Sequence, residues 1–306
     1  MVLYPSELKI LAPAKINLFL HITGKRSDGY HLLDTLVVFA DFGDMLKFEP
    51  ADRFMFEVSG PFAKDLTEGE RDPSPMSRNL VVRAAYKLAR AMDRPLNMKI
   101  TLDKELPIAA GLGGGSADAA ACLRALCKWW DLPLRSSLLN DFMLDIGSDV
   151  PVCFKSMPSQ VQGVGDILLP LPNLPALPVV LVNPGVSCPT WEIFKSYVGP
   201  QRNPCQIPNL LIDRQDFLIF LQGKVNDLFP YAKKQVPQIA EILDVLKHQK
   251  GISTSGMSGS GATCYGLFKT EADAHKAAKT IKSFSSEWWV RTGWINRQTK
   301  YVYAMS

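Results

Sequence analysis

Two runs of closely set glycines stand out in this chain of 306 residues, at 107 to 118 (PIAAGLGGGSAD) and at 255 to 261 (SGMSGSG). In the first, Gly111, Gly113, Gly114 and Gly115 follow a strand-like stretch and lead straight into an alanine-rich helical stretch that begins near Ser116. Clustered glycines let several backbone N–H groups converge on one point, and a helix N-terminus adds partial positive charge there. A phosphate suits such a place, and the Ser116 hydroxyl could hold that phosphate or its magnesium ion. The plain alternative is a flexible turn, yet linkers are seldom set so tightly between a strand and a helix. On composition alone, the second run is either a surface loop between a helix and a strand or the opposite wall of one polyphosphate site.

A cation and a carboxylate are the next candidates. Lys15 stands between the apolar residues Ala14 and Ile16. It either snorkels along an apolar surface or serves as the buried partner of a carboxylate or phosphate. Asp149, in the GSDVP run at 147 to 151, follows a helix stop and is either a turn residue or a base. Phosphoryl transfer is mostly positioning and charge neutralisation, so a glycine loop, a magnesium ion, one lysine and one aspartate suffice. Other nucleotide motifs do not match. No lysine follows the glycines as a Walker loop requires, and position 116 is serine where a dinucleotide fingerprint needs glycine. Asp41-Phe42-Gly43 spells a protein-kinase tripeptide without its companion motifs, so Asp41 and Gly43 read as strand-end residues.

The elements that must carry these groups follow from hydrophobic periodicity. After Pro13, Ile16, Leu18, Leu20 and Ile22 share one strand face, and Lys15, Asn17, Phe19 and His21 the other. Asp28-Gly29 marks a turn into a second apolar run at 35 to 40, so the opening reads as antiparallel. Residues 54 to 58, 98 to 102, 263 to 268 and 288 to 295 read as further strands. Helices are expected at 78 to 92, 116 to 130, 215 to 221, 237 to 247 and 271 to 284, and from an N-cap at Ser136 to a stop at Gly147. Residues 61 to 77 read as a surface loop, and the proline-rich stretch from 170 to 189 as the boundary between two lobes. Strands and helices mix without a regular βαβ rhythm, which favours α+β over a doubly wound sheet.

Composition sets the outer bounds. Length alone suggests two domains or lobes. With 34 basic and 30 acidic residues, the net charge is +4, and 47% of residues are hydrophobic. That balance excludes a disordered or collagen-like chain, and the absence of any basic cluster argues against nucleic acid. The six cysteines include no CxxC pair and there is no HExxH, which argues against zinc; scattered thiols fit a reducing compartment. Glu7 and Lys9 precede any apolar run, so no secretory signal is read. The 25 uncharged residues from 167 to 191 contain six prolines, which a lipid-exposed helix would not tolerate. The expectation is a cytoplasmic protein with no membrane, nucleic-acid or protein partner implied.

Together these pieces resemble the galactokinase, homoserine kinase, mevalonate kinase and phosphomevalonate kinase (GHMP) superfamily of small-molecule kinases. The first motif is Ala12-Pro13-Ala14-Lys15-Ile16-Asn17-Leu18, continuing to Arg26-Ser27-Asp28-Gly29-Tyr30-His31; the two glycine runs are the second and third. The GSDVP run, GVGD at 163 to 166 and NPG at 183 to 185 are also similar. Lys15 with Gly29-Tyr30-His31 points to the branch whose acceptor is 4-diphosphocytidyl-2-C-methyl-D-erythritol. The resemblance implies a two-lobed α+β fold with its active site in the cleft between lobes. The N-terminal lobe, residues 1–172, would resemble ribosomal protein S5 domain 2 and bind ATP; the C-terminal lobe, residues 173–306, would be ferredoxin-like.

It further implies ATP-dependent phosphorylation of the acceptor's 2-hydroxyl, giving the 2-phosphate and ADP, in the non-mevalonate route to isopentenyl diphosphate. Lys15 and Asp149 would be catalytic. ATP would lie on Pro107, Gly111, Leu112, Gly113, Gly114, Gly115, Ser116 and Ala117, with Asn79 and Lys104 close to the nucleotide. Asn17, Tyr30, His31, Phe194, Gly259 and Gly261 would contact the acceptor, with Tyr30, His31 and Phe194 at the cytosine, and Ser116 would serve the magnesium. The Asn226-Asp227 pair matches least securely. The alternatives are a homoserine- or mevalonate-type kinase, or a nucleotide-binding sensor that has lost catalysis.

Overall fold

Long alternating stretches at the start of the chain form two paired strands. In the computed structural model, which describes residues 6–133, 137–208 and 213–297, β1 (Leu8–Lys25) and β2 (His31–Pro50) run antiparallel, from Leu8↔Phe48 to Lys25↔His31. The Asp28-Gly29 turn joins them, with Gly29 at φ +92°. Register slips at Pro13/Lys15, Asn17/Phe19 and Ile22/Gly24 break the strict two-faced alternation expected for β1. Phe19 therefore joins Ile16 and Leu18 in one apolar cluster, and every residue from Ile10 to Ile22 is buried.

The chain continues through β3 (Met55–Ser59), α1 (Glu68–Arg71), α2 (Leu80–Ala91), β4 (Met98–Asp103) and α3 (Gly114–Trp129). Next come α4 (Ser137–Ile146), α5 (Val150–Lys155), β5 (Ser159–Gly163) and β6 (Ile167–Pro170). The second half carries β7 (Leu177–Asn183), α6 (Thr190–Ser196), α7 (Arg214–Leu221), α8 (Phe229–Gln235) and α9 (Gln238–Lys247). It ends with β8 (Ile252–Met257), β9 (Cys264–Phe268), α10 (Glu271–Phe284) and β10 (Trp289–Ile295). The expected surface loop at 61 to 77 contains the single turn of α1. Gly147 ends α4 as anticipated, donating to the Met143 carbonyl; the expected N-cap, Ser136, lies outside the described residues.

β2 organises the first half. Its start pairs with β5 through Leu33–Val37, its end pairs with β4 through Met45–Pro50, and β1 flanks its other side. Between those segments, Ala40 bridges Ile295 of β10, joining the second sheet, whose order is β10-β7-β9-β8. Asp41 and Gly43 thus sit in the middle of a strand, not at a strand end. Asp41 Oδ1 accepts the Trp294 N–H at 2.8 Å, and a Cβ at residue 43 would lie 1.9 Å from the Ala12 carbonyl oxygen. The change of sheet falls between β6 and β7. The proline-rich stretch read as a boundary contains β7, a central and fully buried strand. Pro178 is tolerated there because β9 pairs only from Val179 onward.

Three apolar clusters fill the molecule. One lies under α2 and α3, and one lies between the second sheet and α9 and α10. The third joins the halves through residues such as Ile16, Leu36, Val179, Phe217 and Leu267. Alanine at five of the positions from Ala117 to Ala125 lets α3 approach its neighbours on nearly all sides. All six cysteines are free thiols, and only Cys205 is not buried.

Candidate active site

The first glycine run forms the loop between β4 and α3, and two of its glycines are required by contact as well as by backbone angle. Gly111 has φ +73°, and a Cβ there would lie 2.4 Å from the Ser258 carbonyl oxygen. Gly113, the left-handed N-cap of α3, lies against the stem of Lys15, whose Cε would be 3.0 Å from an added Cβ. The loop therefore packs between the lysine on one side and the second glycine run, at 255 to 261, on the other. The free N–H groups of the first turn of α3 open into a cleft of about 440 Å³, lined from this side by Pro107, Gly111, Gly113, Gly114, Gly115 and Ser116. Leu112 and Ala117, expected at the nucleotide, are buried in the apolar clusters and do not line the cleft.

Lys15 is fixed by its backbone N–H, which donates to the Leu112 carbonyl at 2.9 Å. Its ammonium lies 2.9 Å from Asp149 Oδ2 and donates to Asn17 Oδ1 at 3.2 Å. Asn17 Nδ2 in turn donates to Thr35 Oγ1 at 2.9 Å. Asp149 occupies the N-cap of α5 and faces the cleft. Arg124 on α3 braces the far end of that helix by donating to the Cys153 carbonyl at 2.6 Å, and burial lowers the arginine's pKa to about 10. The sequence reading left Lys15 and Asp149 each with two interpretations. The fold makes the lysine a buried partner of this carboxylate.

Lys104 and Asn79 also line the cleft, but their polar groups have internal partners. The Lys104 ammonium bonds to Asp44 and, at 2.8 Å, to Asp118 on α3. Asp44 Oδ1 also accepts the N–H groups of Glu105 and Leu106. Burial opposes the lysine's charge, but Asp118 and Asp44 outweigh it and hold the ammonium above the ordinary lysine pKa. Burial raises the Asp118 carboxyl, Asp44 adds to the rise, and Lys104 opposes it. Asn79 caps α2 by accepting the Val81 N–H at 2.9 Å and donates to the Glu70 carbonyl at 3.1 Å. These side chains line the same cleft as the glycine loop.

Phe194 lines the cleft and His31 does not; their rings lie 5.8 Å apart, and Tyr197 meets His31 edge-on at 5.8 Å. Burial lowers the His31 pKa, with Lys25 adding to the effect, so the imidazole is neutral at pH 7. Tyr30 does not line the cleft either, and it is 67% exposed. Gly259 reaches the cleft next to Gly111, whereas Gly261 turns inward against Met257, Ile239 and Cys188. The SGMSGSG run is half strand and half buried hairpin turn, not a surface loop between a helix and a strand. Sequence reasoning missed Thr35, Thr190, Ser258 and Ser260, of which all but Ser258 line the cleft. Hydroxyls among the glycines of the second run were the available signal for the two serines.

Among the described residues, no group of three or more His, Cys, Asp or Glu side chains is placed to hold a metal ion. Ser116, at the head of α3, lines the cleft, where its hydroxyl could be one of the few protein ligands magnesium uses if bound phosphates and waters supplied the rest. No helix among the described residues is long and apolar enough to cross a membrane.

Comparison with known proteins gives the same picture across the chain. Residues 79–156 match the family model of the GHMP kinases N terminal domain, and residues 211–286 match that of the GHMP kinases C terminal. The 4-diphosphocytidyl-2-C-methyl-D-erythritol kinase of Paramagnetospirillum magneticum is 42% identical over 93% of this chain and 97% of its own. The Ruegeria pomeroyi protein of the same name is 44% identical over 94% of this chain and 98% of its own. A crystal structure of 4-(cytidine 5'-diphospho)-2C-methyl-D-erythritol kinase superposes with a TM-score of 0.76 at 29% identity, covering 95% of this chain and all of that one. Homoserine kinase from Cytophaga hutchinsonii shares the fold, with a TM-score of 0.68 at 16% identity over 96% of both chains.

Proposed function

The chain belongs to the 4-diphosphocytidyl-2-C-methyl-D-erythritol kinases of the GHMP family, and from that premise we propose that it transfers the γ-phosphoryl group of ATP to the 2-hydroxyl of this acceptor. The products are ADP and the 2-phosphate, a step of the non-mevalonate route to isopentenyl diphosphate. The observation that carries this reading is one continuous cleft. It has a glycine loop and helix N-terminus at one end, the Lys15–Asp149 pair in its wall, and Phe194 with the His31 ring beside it at the other end. A nucleotide donor and an acceptor bearing a flat base need those surfaces in that order.

In this reading, ATP lies with its phosphates on the N–H groups of residues 113 to 116 and its base toward Asn79 and Lys104. Asp149 receives the proton of the attacking hydroxyl, late if the transition state is loose, and orients that hydroxyl beforehand. Lys15 keeps Asp149 ionised and offsets charge on the transferring group. The N–H groups of the loop hold the leaving phosphates, and Asn17 fixes the lysine and contacts the acceptor. Ser116 would hold the magnesium ion, which when bound neutralises the β- and γ-phosphates. His31 and Phe194 hold the cytosine, and Tyr30 is the exposed ring able to cover its open face. The free buried thiols are compatible with a cytoplasmic location.

The test is an acceptor panel. With ATP and magnesium, the protein should convert 4-diphosphocytidyl-2-C-methyl-D-erythritol to a singly phosphorylated product and leave homoserine and mevalonate untouched. Preferred turnover of either smaller acceptor would contradict the reading, because neither carries a base for His31 and Phe194.

A further inference from the structure

One hydroxyl in the second glycine run touches two backbone groups, one in the glycine loop and one in β1. Ser258 Oγ donates to the Gly111 carbonyl at 2.8 Å and accepts the Asn17 N–H at 3.1 Å. Gly111 belongs to the loop that opens α3. Asn17 belongs to β1, and its side-chain oxygen accepts from the Lys15 ammonium. The two partners lie 147 and 241 residues away in sequence, so neither contact is a local turn bond. Ser258 itself is fully buried, and its backbone bonds to Thr263 at 2.9 Å and Gly261 at 3.0 Å. Asn226, the residue the motifs placed least securely, steadies the same turn by donating to the carbonyls of Met257 at 2.9 Å and Gly259 at 2.7 Å.

We propose that Ser258 is a positioning residue that holds the phosphoryl-donor loop and the catalytic strand in register. Only a group that donates and accepts at one atom can join a carbonyl to an amide in this way, and a hydroxyl does so in the space available. Alanine would leave the Asn17 N–H buried without this partner and the Gly111 carbonyl part-buried without it. Cysteine keeps roughly the volume but bonds weakly, and threonine would force a methyl into a filled space. The effect reaches the reacting atoms through Asn17 and Lys15, so it belongs to turnover more than to binding.

The inference rests on the kinase reading above, and its test compares variants against an active wild type. Steady-state kinetics with ATP and the cytidylyl acceptor would be run on Ser258→Ala and Ser258→Cys, each alone and with Lys15→Ala. The expected loss in kcat for Ser258→Ala is at least about tenfold, toward the roughly hundredfold that a misplacement near 1 Å can cause. Both KM values should stay within about threefold, and Ser258→Cys should fall between wild type and alanine. In the Lys15→Ala background the serine substitution should cost less than about threefold, because the path it acts through is gone. A folded Ser258→Ala enzyme with wild-type kcat would overturn the proposal. So would a full loss persisting in the Lys15→Ala background, which marks a merely structural role. If near-ultraviolet circular dichroism shows Ser258→Ala unfolded, Ser258→Cys decides on the same criteria. A wild type that turns over no cytidylyl acceptor removes the kinase reading and this inference with it.

Discussion

The ammonium of Lys15 sits 2.9 Å from the carboxylate of Asp149, with the lysine side chain 7% exposed and the aspartate side chain 41% exposed. The asymmetry divides the work. The lysine is packed beneath Gly113 and tethered to Asn17, so its charge cannot move away. The aspartate faces the cleft and can meet a substrate hydroxyl.

Removing the fixed charge should therefore show in turnover. For Lys15→Ala we expect kcat to fall by roughly 100-fold or more, as for other preorganised electrostatic groups, with KM for ATP changed far less. Initial-rate kinetics over both substrates checks this. A kcat within about threefold of wild type would remove the role given to Lys15.

The aromatic end should act on the other substrate. Phe194→Ala deletes the ring that faces His31, and stacking of a base on an aromatic side chain contributes about 1–3 kcal/mol. KM for the cytidylyl acceptor should rise about tenfold or more while KM for ATP stays unchanged. Equal effects on both substrates would mean that Phe194 supports the fold and not the base.

How far the sequence disclosed this site depends on how local each signal is. The glycine loop and the helix it opens were legible because residue type and immediate neighbours carry their chemistry, whereas Lys15 and Asp149 each kept two readings until the resemblance gave them an expected role. Lys104 was expected near the nucleotide from the resemblance alone, and nothing local marked it as the partner of Asp44, sixty positions away, which only the sheet brings close. The hydroxyl of Ser258 among its glycines was a signal that the segment matters, but nothing local announces its bond to residue 17. The faces of β1 were misassigned beyond Asn17 because bulges shift its register, and a bulge has no reliable sequence signature. Strand β7 was obscured by the prolines that flank it.

The Lys104 cluster makes a stability prediction. Lys104→Met would leave Asp44 and Asp118 buried without their shared cation, and breaking such a pair costs roughly 3–5 kcal/mol. Urea unfolding should show that loss, and adding Asp118→Asn should restore part of it. A midpoint equal to wild type would mean that the Lys104 ammonium does not offset buried carboxylate charge in this cluster.

Acid should weaken the fold through its histidines. Burial lowers the pKa of His21, outweighing the nearby Asp227, and burial likewise lowers that of His31. Asp34, also near His21, favours its charged form, whereas Arg202 and Lys224 oppose it. In the unfolded chain both would protonate near the ordinary histidine value of about 6.5. Below that pH the unfolded state binds more protons than the folded one, so stability falls on acidification until each folded pKa is passed. Melting curves from pH 7.5 to 5 should show a decline that is shallower in His21→Asn. An identical slope in that variant would contradict the assignment for His21.

The most direct test of the account is the single-turnover rate of Asp149→Asn with saturating ATP, magnesium and 4-diphosphocytidyl-2-C-methyl-D-erythritol, measured beside the affinity for each substrate. Asparagine keeps the shape of the N-cap residue and removes the carboxylate that pairs with Lys15 and that we propose takes the proton. The account predicts both substrates still bound and phosphoryl transfer slowed by about 100-fold or more. Transfer at the wild-type rate would contradict it and leave the Lys15–Asp149 pair a structural contact.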